Sequence, residues 1–446
     1  MLLEFRVRNY RSYSSEKRFS MVAGSGKELP GNTMMVDGFD RYPLVRCAAI
    51  YGANASGKSN LVSALGFFRS FVLRSSETRR EGEPIPVQPF LLDPELSTKP
   101  SEFEITFLFQ GVRHQYGFVV STERVHEEWL TVYPKGKPQE WFHRTLDETG
   151  KPAWSWSRTH LKGDKLQLAE RTRDDALFLS VAAQWNHPQL KPIREWFANQ
   201  FKVVPKDFRA TNFTHEHILE NLESLEWLRK ILRAADIGIS QILVTVKESE
   251  DLPYPIEKFH VLKFPHYGSS IDKKPSMTPR TLSRPKIVVH TTRRLAGSDK
   301  EIEWGLEQES DGTQRMFKLL GPIYDVLRDG SVLVMDELDT SLHADITREL
   351  VQLFNSPETN PNHAQLIFTT HDTSLLDSTL FRRDQIWFTS KDASGATDLY
   401  SLQDFSPRKG EAFQKGYLAG RYGATPVLKR FEFTPSNASG ARGTGE

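Results

Sequence analysis

Residues 51–60 read YGANASGKSN and set Gly52, Gly57, Lys58 and Ser59 at the spacing GxxxxGK[ST]. Ordinary residue frequencies give such a match by chance in about 1 to 2% of chains this long, so the flanking sequence decides its meaning. Upstream, VRCAAIYGA (45–53) is a short apolar run ending near glycine, which reads as a buried strand. Downstream, SNLVSALGFFRSFVL carries apolar residues at helical spacing. Strand, glycine-bearing turn and helix, in that order, let backbone N–H groups wrap an oxyanion while a helix N-terminus faces it. The stretch is therefore expected to cradle phosphate. Gly52, Asn54, Ala55, Ser56, Gly57 and Asn60 line that cradle, Lys58 reaches the β- and γ-phosphates, and Ser59 ligates Mg2+.

A phosphate cradle needs acids to hold the metal and activate water, and SVLVMDELD (331–339) brings them. An apolar strand there delivers Asp336, suited to the metal, and Glu337, suited to polarise water as general base. Two acids ending a strand are often plain solvated polar groups, but a wholly apolar strand feeding them argues otherwise. A second buried strand, in LIFTTHDTSLLD, ends at His371. Parallel strands would bring Asp336 and His371 to one sheet edge, where ligands of doubly wound sheets bind, and His371 becomes a candidate γ-phosphate contact. ESDGTQR (309–315) opens a helix with Met316, Phe317, Leu320, Ile323, Tyr324 and Leu327 at helical spacing. Its start offers Ser310, Gly312 and free N–H groups, a second anion-binding helix end.

The rest of the chain bounds the reading. With 446 residues and 38% hydrophobic content it can build full-sized cores in two or three domains. Lys and Arg (58) nearly cancel Asp and Glu (57), so a bulk electrostatic grip on nucleic acid is not indicated. Cys47 is the single cysteine, which fits a reducing compartment and makes the cytoplasm the default. No apolar run reaches the roughly 18 residues a membrane span needs, and the charged opening MLLEFRVRNYRSYSSEKR does not suit a signal peptide.

Residues 2–13 alternate apolar and polar side chains as a half-buried strand does, and 101–144 alternate again around QG and PKGKP, an antiparallel meander. Residues 165–235 lack that alternation and favour helices, which sets an inserted helical lobe at 161–238 between an N-terminal lobe (1–160) and a C-terminal one (239–433). From 310 onward helix, strand, helix, strand, helix, strand implies a parallel sheet covered on both faces. KKPSMTPRTLSRPKIVVHTTRR (273–294) contains no acid and reads either as a solvated surface loop or as a nucleic-acid or partner contact. The tail 434–446 has low hydrophobicity and is expected to be disordered.

Taken in order, the phosphate loop, ESDGTQR, LVMDELDTSLH and TTHD resemble the ABC-type ATPase head, including its SMC-like and RecF-like branch. The resemblance implies an α/β fold with a mixed sheet, an antiparallel β meander and an inserted helical lobe. It also implies a head-to-tail dimer over two Mg-ATP, in which Ser310 and Gly312 of one copy close on the nucleotide held by the other. Asp339 matches the aspartate that spans such an interface. The sequence departs from the family's LSGGQ signature at Glu309, Asp311 and Thr313. FRVRNYRSY resembles the N-terminal strand of the SMC-like branch, which makes Arg11 a nucleotide contact. VQPFLLD supplies Gln88 as the family's glutamine loop, a contact to nucleotide and metal.

YGANASGKSNL, PSEFEITFLFQG, MDELDTSLH and KGYLAGRYGATP further resemble stand-alone bacterial AAA-15/AAA-21 ATPases. Such proteins occur in phage-defence loci beside an effector such as a Toprim, RloB-like or HNH nuclease. OLD proteins share the head but fuse it to a Toprim domain, and no such acidic cluster follows here, so a separate effector polypeptide is expected. Three functions stay open on this reading: an ATPase that controls that effector, an ATP-gated scaffold with little turnover, and a RecF/SMC-like DNA-repair ATPase with 273–294 on DNA.

Overall fold

The computed structural model describes residues 1–77, 83–206, 214, 222–235, 238–247, 286–406 and 411–425. The expected disordered tail and most of the acid-free stretch lie outside these residues.

The strands in chain order are β1 (Leu2–Arg8), β2 (Lys17–Ser20), β3 (Thr33–Met34), β4 (Leu44–Val45), β5 (Cys47–Gly52), β6 (Ser101–Phe109), β7 (Val112–Val120), β8 (Val125–Tyr133) and β9 (Gln139–Leu146). They continue as β10 (Pro152–Trp156), β11 (Phe201–Val204), β12 (Gln241–Lys247), β13 (Lys286–Arg294), β14 (Glu301–Gly305), β15 (Val332–Met335), β16 (Gln365–Thr369), β17 (Ile386–Lys391) and β18 (Thr397–Ser401). Two sheets dominate. One is antiparallel, in the order β10-β9-β8-β7-β6-β1-β2; the other runs β11-β15-β16-β5-β17-β18. The second is parallel except at β18, which pairs antiparallel with β17.

The parallel sheet is buried on both faces, which is why its strands are apolar runs without alternation. Along β5, Ala48 and Ile50 face one core with Leu61, Leu65 and Phe68 of the helix Lys58–Arg74 and with Phe103, Phe107 and Phe118 of the meander. Cys47, Ala49 and Tyr51 face a second core with Met316, Leu320 and Ile323 of the helix Asp311–Asp329 and with Leu350 and Phe354 of the helix Ala344–Asn355. The helix after the phosphate loop thus sits between the two sheets. Its buried Arg69 donates to the carbonyls of Phe197, Phe201 and Ala198 at 2.6–3.1 Å, tying it to the start of β11.

The meander expected at 101–144 is present and gains β10. Gln110 and Gly111, both at positive φ (51° and 70°), make the two-residue turn between β6 and β7 that a right-twisted hairpin favours. The N-terminal strand ends at Arg8 rather than near 13, because Asn9 and Arg11 stand at φ 51° and 50°. The stretch 161–238 holds the helices Lys165–Glu170, Phe178–Gln184, Leu190–Asn199 and Leu222–Ala234, and also β11, a strand of the parallel sheet. It is therefore woven into that sheet rather than purely helical. Between β16 and β17, where a helix was expected, the described chain makes the single 3-10 turns Thr373–Leu375 and Arg383–Gln385. Asp372 caps the first turn, and Arg382, 2% exposed, bonds Asp384 and the carbonyls of Glu28 and Gly26.

Candidate functional site at the carboxyl edge of the parallel sheet

Parallel register sets the site. Val204 pairs with Met335, Met335 with Phe368, Thr369 with Ile50, and Gly52 with Thr389. The residues that follow β11, β15, β16 and β5 therefore leave the sheet on one edge: Lys206, Asp336 with Glu337, His371, and the phosphate loop.

In the loop, Gly52, Ala55 and Gly57 stand at φ 157°, 63° and 114°. Ala53, Asn54 and Ala55 run along its rim, Asn54 and Ala55 exposed. Lys58 is 5% exposed, and its ammonium donates to the carbonyls of Gly52 and Ala53 at 2.9 and 3.1 Å. Burial pulls its pKa down to about 8, against the opposing charges of Glu337, Asp336 and Asp339. The loop is braced from beneath. Ser56 Oγ shares a hydrogen bond with Thr389 Oγ1 at 2.6 Å, and Thr397 Oγ1 donates to the Ser56 carbonyl at 2.8 Å. The Tyr13 hydroxyl donates to the Gly57 carbonyl at 3.1 Å, and Asn60 Nδ2 donates to Ser12 Oγ at 2.7 Å.

Ser59 Oγ donates to Asp336 Oδ1 at 3.1 Å, and Thr369 Oγ1 donates to the same oxygen at 2.7 Å. These hard oxygens, on residues 277 apart in sequence, suit Mg2+, which takes one or two carboxylates and fills its shell with water and phosphate oxygens. Among the described residues no group of three or more His, Cys, Asp and Glu side chains could hold a metal by itself. A metal at this edge would therefore lean on nucleotide oxygens.

Glu337 stands at φ 51°, a left-handed backbone that costs a glutamate about 1–3 kcal/mol and that clusters at functional sites. Its N–H donates to Thr369 Oγ1 at 2.7 Å, and its carboxylate accepts from Lys206 Nζ at 2.9 Å and from Thr340 Oγ1 at 3.0 Å. Burial alone would raise its pKa; the bonds from Lys206 and Thr340 and the charge of Lys206 outweigh it and hold the group below the ordinary carboxylate range. The His371 N–H donates to Asp339 Oδ2 at 3.2 Å. Partial burial, then the nearby Lys58, lower the His371 pKa against Asp339 and Glu337, which favours the neutral ring near neutral pH.

Ser310 caps the helix Asp311–Asp329 and accepts from the Thr313 N–H at 3.2 Å. The side chain of Glu309, the residue that departs from the family's leucine, is buried and bonded to Thr291 and Arg293. Gly312 lies against the loop after β15, so closely that a Cβ there would come within 2.8 Å of the Ser341 carbonyl. Ser310 is exposed, and its hydroxyl bonds Thr313 within the first turn of its own helix. Gln88 is exposed; its carbonyl accepts from the Arg11 N–H at 2.8 Å, and the Arg11 guanidinium donates to Ser63 Oγ at 3.0 Å, one helical turn past Ser59. The pair thus flanks the phosphate-loop helix, while the strand beside Asp336 is β11. Sequence reasoning missed Lys206, Thr369, Thr389 and Thr397; Phe201, Val203 and Val204 before Pro205 were the one local sign of β11.

The phosphate loop, Lys206, Asp336, Glu337, Thr369 and His371 fall inside one family model. That model, AAA_21, described as an AAA domain, putative AbiEii toxin, type IV TA system, matches residues 47–377. No curated protein matches the chain. Solved structures similar to it include the SMC head domain from Thermotoga maritima, at 14% identity and a TM-score of 0.41 over 90% of this chain and 98% of that one. Another is the SmcHead bound to the C-winged helix domain of ScpA, at 13% identity and a TM-score of 0.42 over 91% and 99%. A third, the Smc head domain with a coiled coil and joint from Pyrococcus yayanosii, has 10% identity and a TM-score of 0.42 over 91% and 99%. With the family model spanning the phosphate loop, Asp336, Glu337 and His371, the chain belongs to the AAA_21 family of AAA domains.

Proposed function

We propose that the chain binds Mg-ATP between two copies of itself, hydrolyses it, and uses closure or turnover to control a separate effector. The observation that carries this reading is the meeting of Ser59, Asp336 and Thr369 at one carboxylate oxygen, with Glu337 next to it and Lys58 across from it. Lys58 and the loop N–H groups would neutralise phosphate charge, and Ser59 and Asp336 would hold the metal. A metal held there would supply Lewis-acid charge to the phosphates. Glu337 would accept a proton from water, and His371, neutral and held near Asp339, would contact the γ-phosphate. Arg11 and Gln88 would close the nucleotide's flank beside the helix Lys58–Arg74. Ser310 and Gly312 would cap the nucleotide of the other copy, which suits the exposed Ser310 at that helix N-terminus.

The effector is proposed to be a separate protein, a nuclease of the Toprim, RloB-like or HNH kind, in antiphage defence. What supports it is the motif-level resemblance, together with a family description that names a putative toxin of a type IV toxin–antitoxin system. DNA contact through 273–294 is the weaker reading. Arg293, within that stretch, is engaged by Glu309, and residues 273–285 lie outside the described chain.

Glu337→Gln tests the core of the proposal. The variant is expected to bind ATP with parent affinity and to lose turnover by about 100-fold or more, as removal of a general base does. Fluorescent-nucleotide titration beside a phosphate-release assay measures both, and parent-like hydrolysis by the variant would remove Glu337 as the base.

A further inference from the structure

Lys206 belongs to none of the motifs that mark the site. It stands two residues beyond β11, and the parallel pairing of β11 with β15 sets it beside Glu337. Its ammonium donates to Glu337 Oε1 at 2.9 Å while the Thr340 hydroxyl donates to Oε2 at 3.0 Å, so each carboxylate oxygen already carries a donor. Each oxygen keeps one further lone pair, but a base must aim it at water at about 2.6–3.2 Å, and a carboxylate pinned through both oxygens is not free to turn. Backbone adjustment is restricted, because Glu337 sits at φ 51° with its N–H held by Thr369. Thr340 lies on the same loop and its hydroxyl can rotate away. The lysine comes from another strand and carries full charge.

The lysine side chain is 56% exposed, and ion pairs so open to water add little to fold stability. Its placement therefore matters more for the carboxylate than for the fold. Lys58 and Arg315 also act on Glu337 through charge, and Lys206 hydrogen-bonds it directly. We infer that Lys206 is a positioning residue that clamps Glu337 in an idle orientation, and that catalysis requires its ammonium to leave Oε1. The γ-phosphate of a nucleoside triphosphate is the anion with the strength to draw it off, since phosphate oxygens compete well for an ammonium. The inference rests on the reading of Glu337 as the base.

Steady-state ATP hydrolysis by the full chain tests it, with Lys206→Ala, Lys206→Arg, Glu337→Gln and the Lys206→Ala/Glu337→Gln double variant, alongside equilibrium binding of a fluorescent ATP analogue. Lys206→Ala is expected to raise kcat about 2- to 5-fold, the factor that loss of a partly exposed ion pair allows, with KM for ATP unchanged within about twofold. Lys206→Arg should restore the parent kcat, and the double variant should be as slow as Glu337→Gln. An unchanged or lower kcat in Lys206→Ala, a rise in KM without a rise in kcat, or a gain that persists without Glu337 overturns the clamp. If Glu337→Gln is inactive and Lys206→Ala matches the parent, the clamp alone falls. If Glu337→Gln hydrolyses like the parent, or no variant binds the analogue, the reading of the site falls with it.

Discussion

Gly57 stands at φ 114°, and a Cβ built on it would lie 2.3 Å from Thr397 Oγ1 and 2.6 Å from its methyl group. Two constraints meet there, a left-handed backbone and a strand packed directly beneath the loop. Gly57→Ala is therefore expected to cost about 1–3 kcal/mol, the usual size of forced backbone strain, and to weaken nucleotide binding through distortion of the loop. Urea denaturation and nucleotide titration of the variant measure the two effects, and a fully stable, ATP-binding variant would refute the argument. The GxxxxGK[ST] spacing announced that glycine, but the identity of its neighbour was hidden. Thr397 lies 340 residues away, in β18, within ASGATDLYS, where nothing in the local pattern points to a phosphate loop. Glu337 was legible as a base candidate because an apolar strand delivered it. Lys206 was not, since one lysine after a short apolar run resembles any surface lysine.

Elements impose their own demands. In the meander, alternation marks which side chains turn inward, and Phe103, Ile105, Phe107, Tyr116 and Phe118 obey it. Glu128 breaks the pattern. It is fully buried in β8, where it accepts from the Tyr116 hydroxyl and from the N–H groups of Phe178 and Leu179, and so fixes the start of the helix Phe178–Gln184 against the sheet. His114 of β7 is likewise buried, stacked on Phe107 at 5.2 Å with Nδ1 2.9 Å from the Val112 carbonyl. Burial pushes its pKa down from 6.5 to about 4. The unfolded chain therefore takes up this proton first, near pH 6.5, and stability falls as pH drops from 6.5 toward 4 and levels off below that. At 1.36 kcal/mol per pKa unit, roughly 2 kcal/mol should be lost between pH 7 and pH 5. Denaturant unfolding of His114→Leu at both pH values should show a smaller loss than the parent, and an equal loss would assign the pH dependence elsewhere.

The whole molecule sets the helix that Ser310 caps against the loop after β15, where Gly312 meets the Ser341 carbonyl, and leaves Ser310 exposed. If two copies close head to tail over ATP, an anionic cap should repel the partner's γ-phosphate. Ser310→Asp keeps a strong N-cap, so fold stability should stay within about 0.5 kcal/mol of the parent. ATP binding by the single chain should persist, while ATP-dependent dimerisation should weaken by about 10-fold or more through like-charge juxtaposition. Light scattering with a non-hydrolysable ATP analogue reads the oligomer, and parent-like dimerisation would remove Ser310 from the interface. Among the described residues no helix is long and apolar enough to cross a membrane.

By itself the sequence determined the phosphate loop, the acids after β15, the histidine after β16, the cap at Ser310 and the alternating meander. Each is written in a few adjacent residues, through side-chain periodicity or a turn that only certain backbones allow. Tertiary structure alone decided that β11 borders β15, that 161–238 is threaded through the parallel sheet, and that Thr389, Thr397 and Thr369 brace the site. Those contacts join residues tens to hundreds of positions apart through single hydrogen bonds and strand register, and one hydrogen bond leaves no period in the chain for a reader to find.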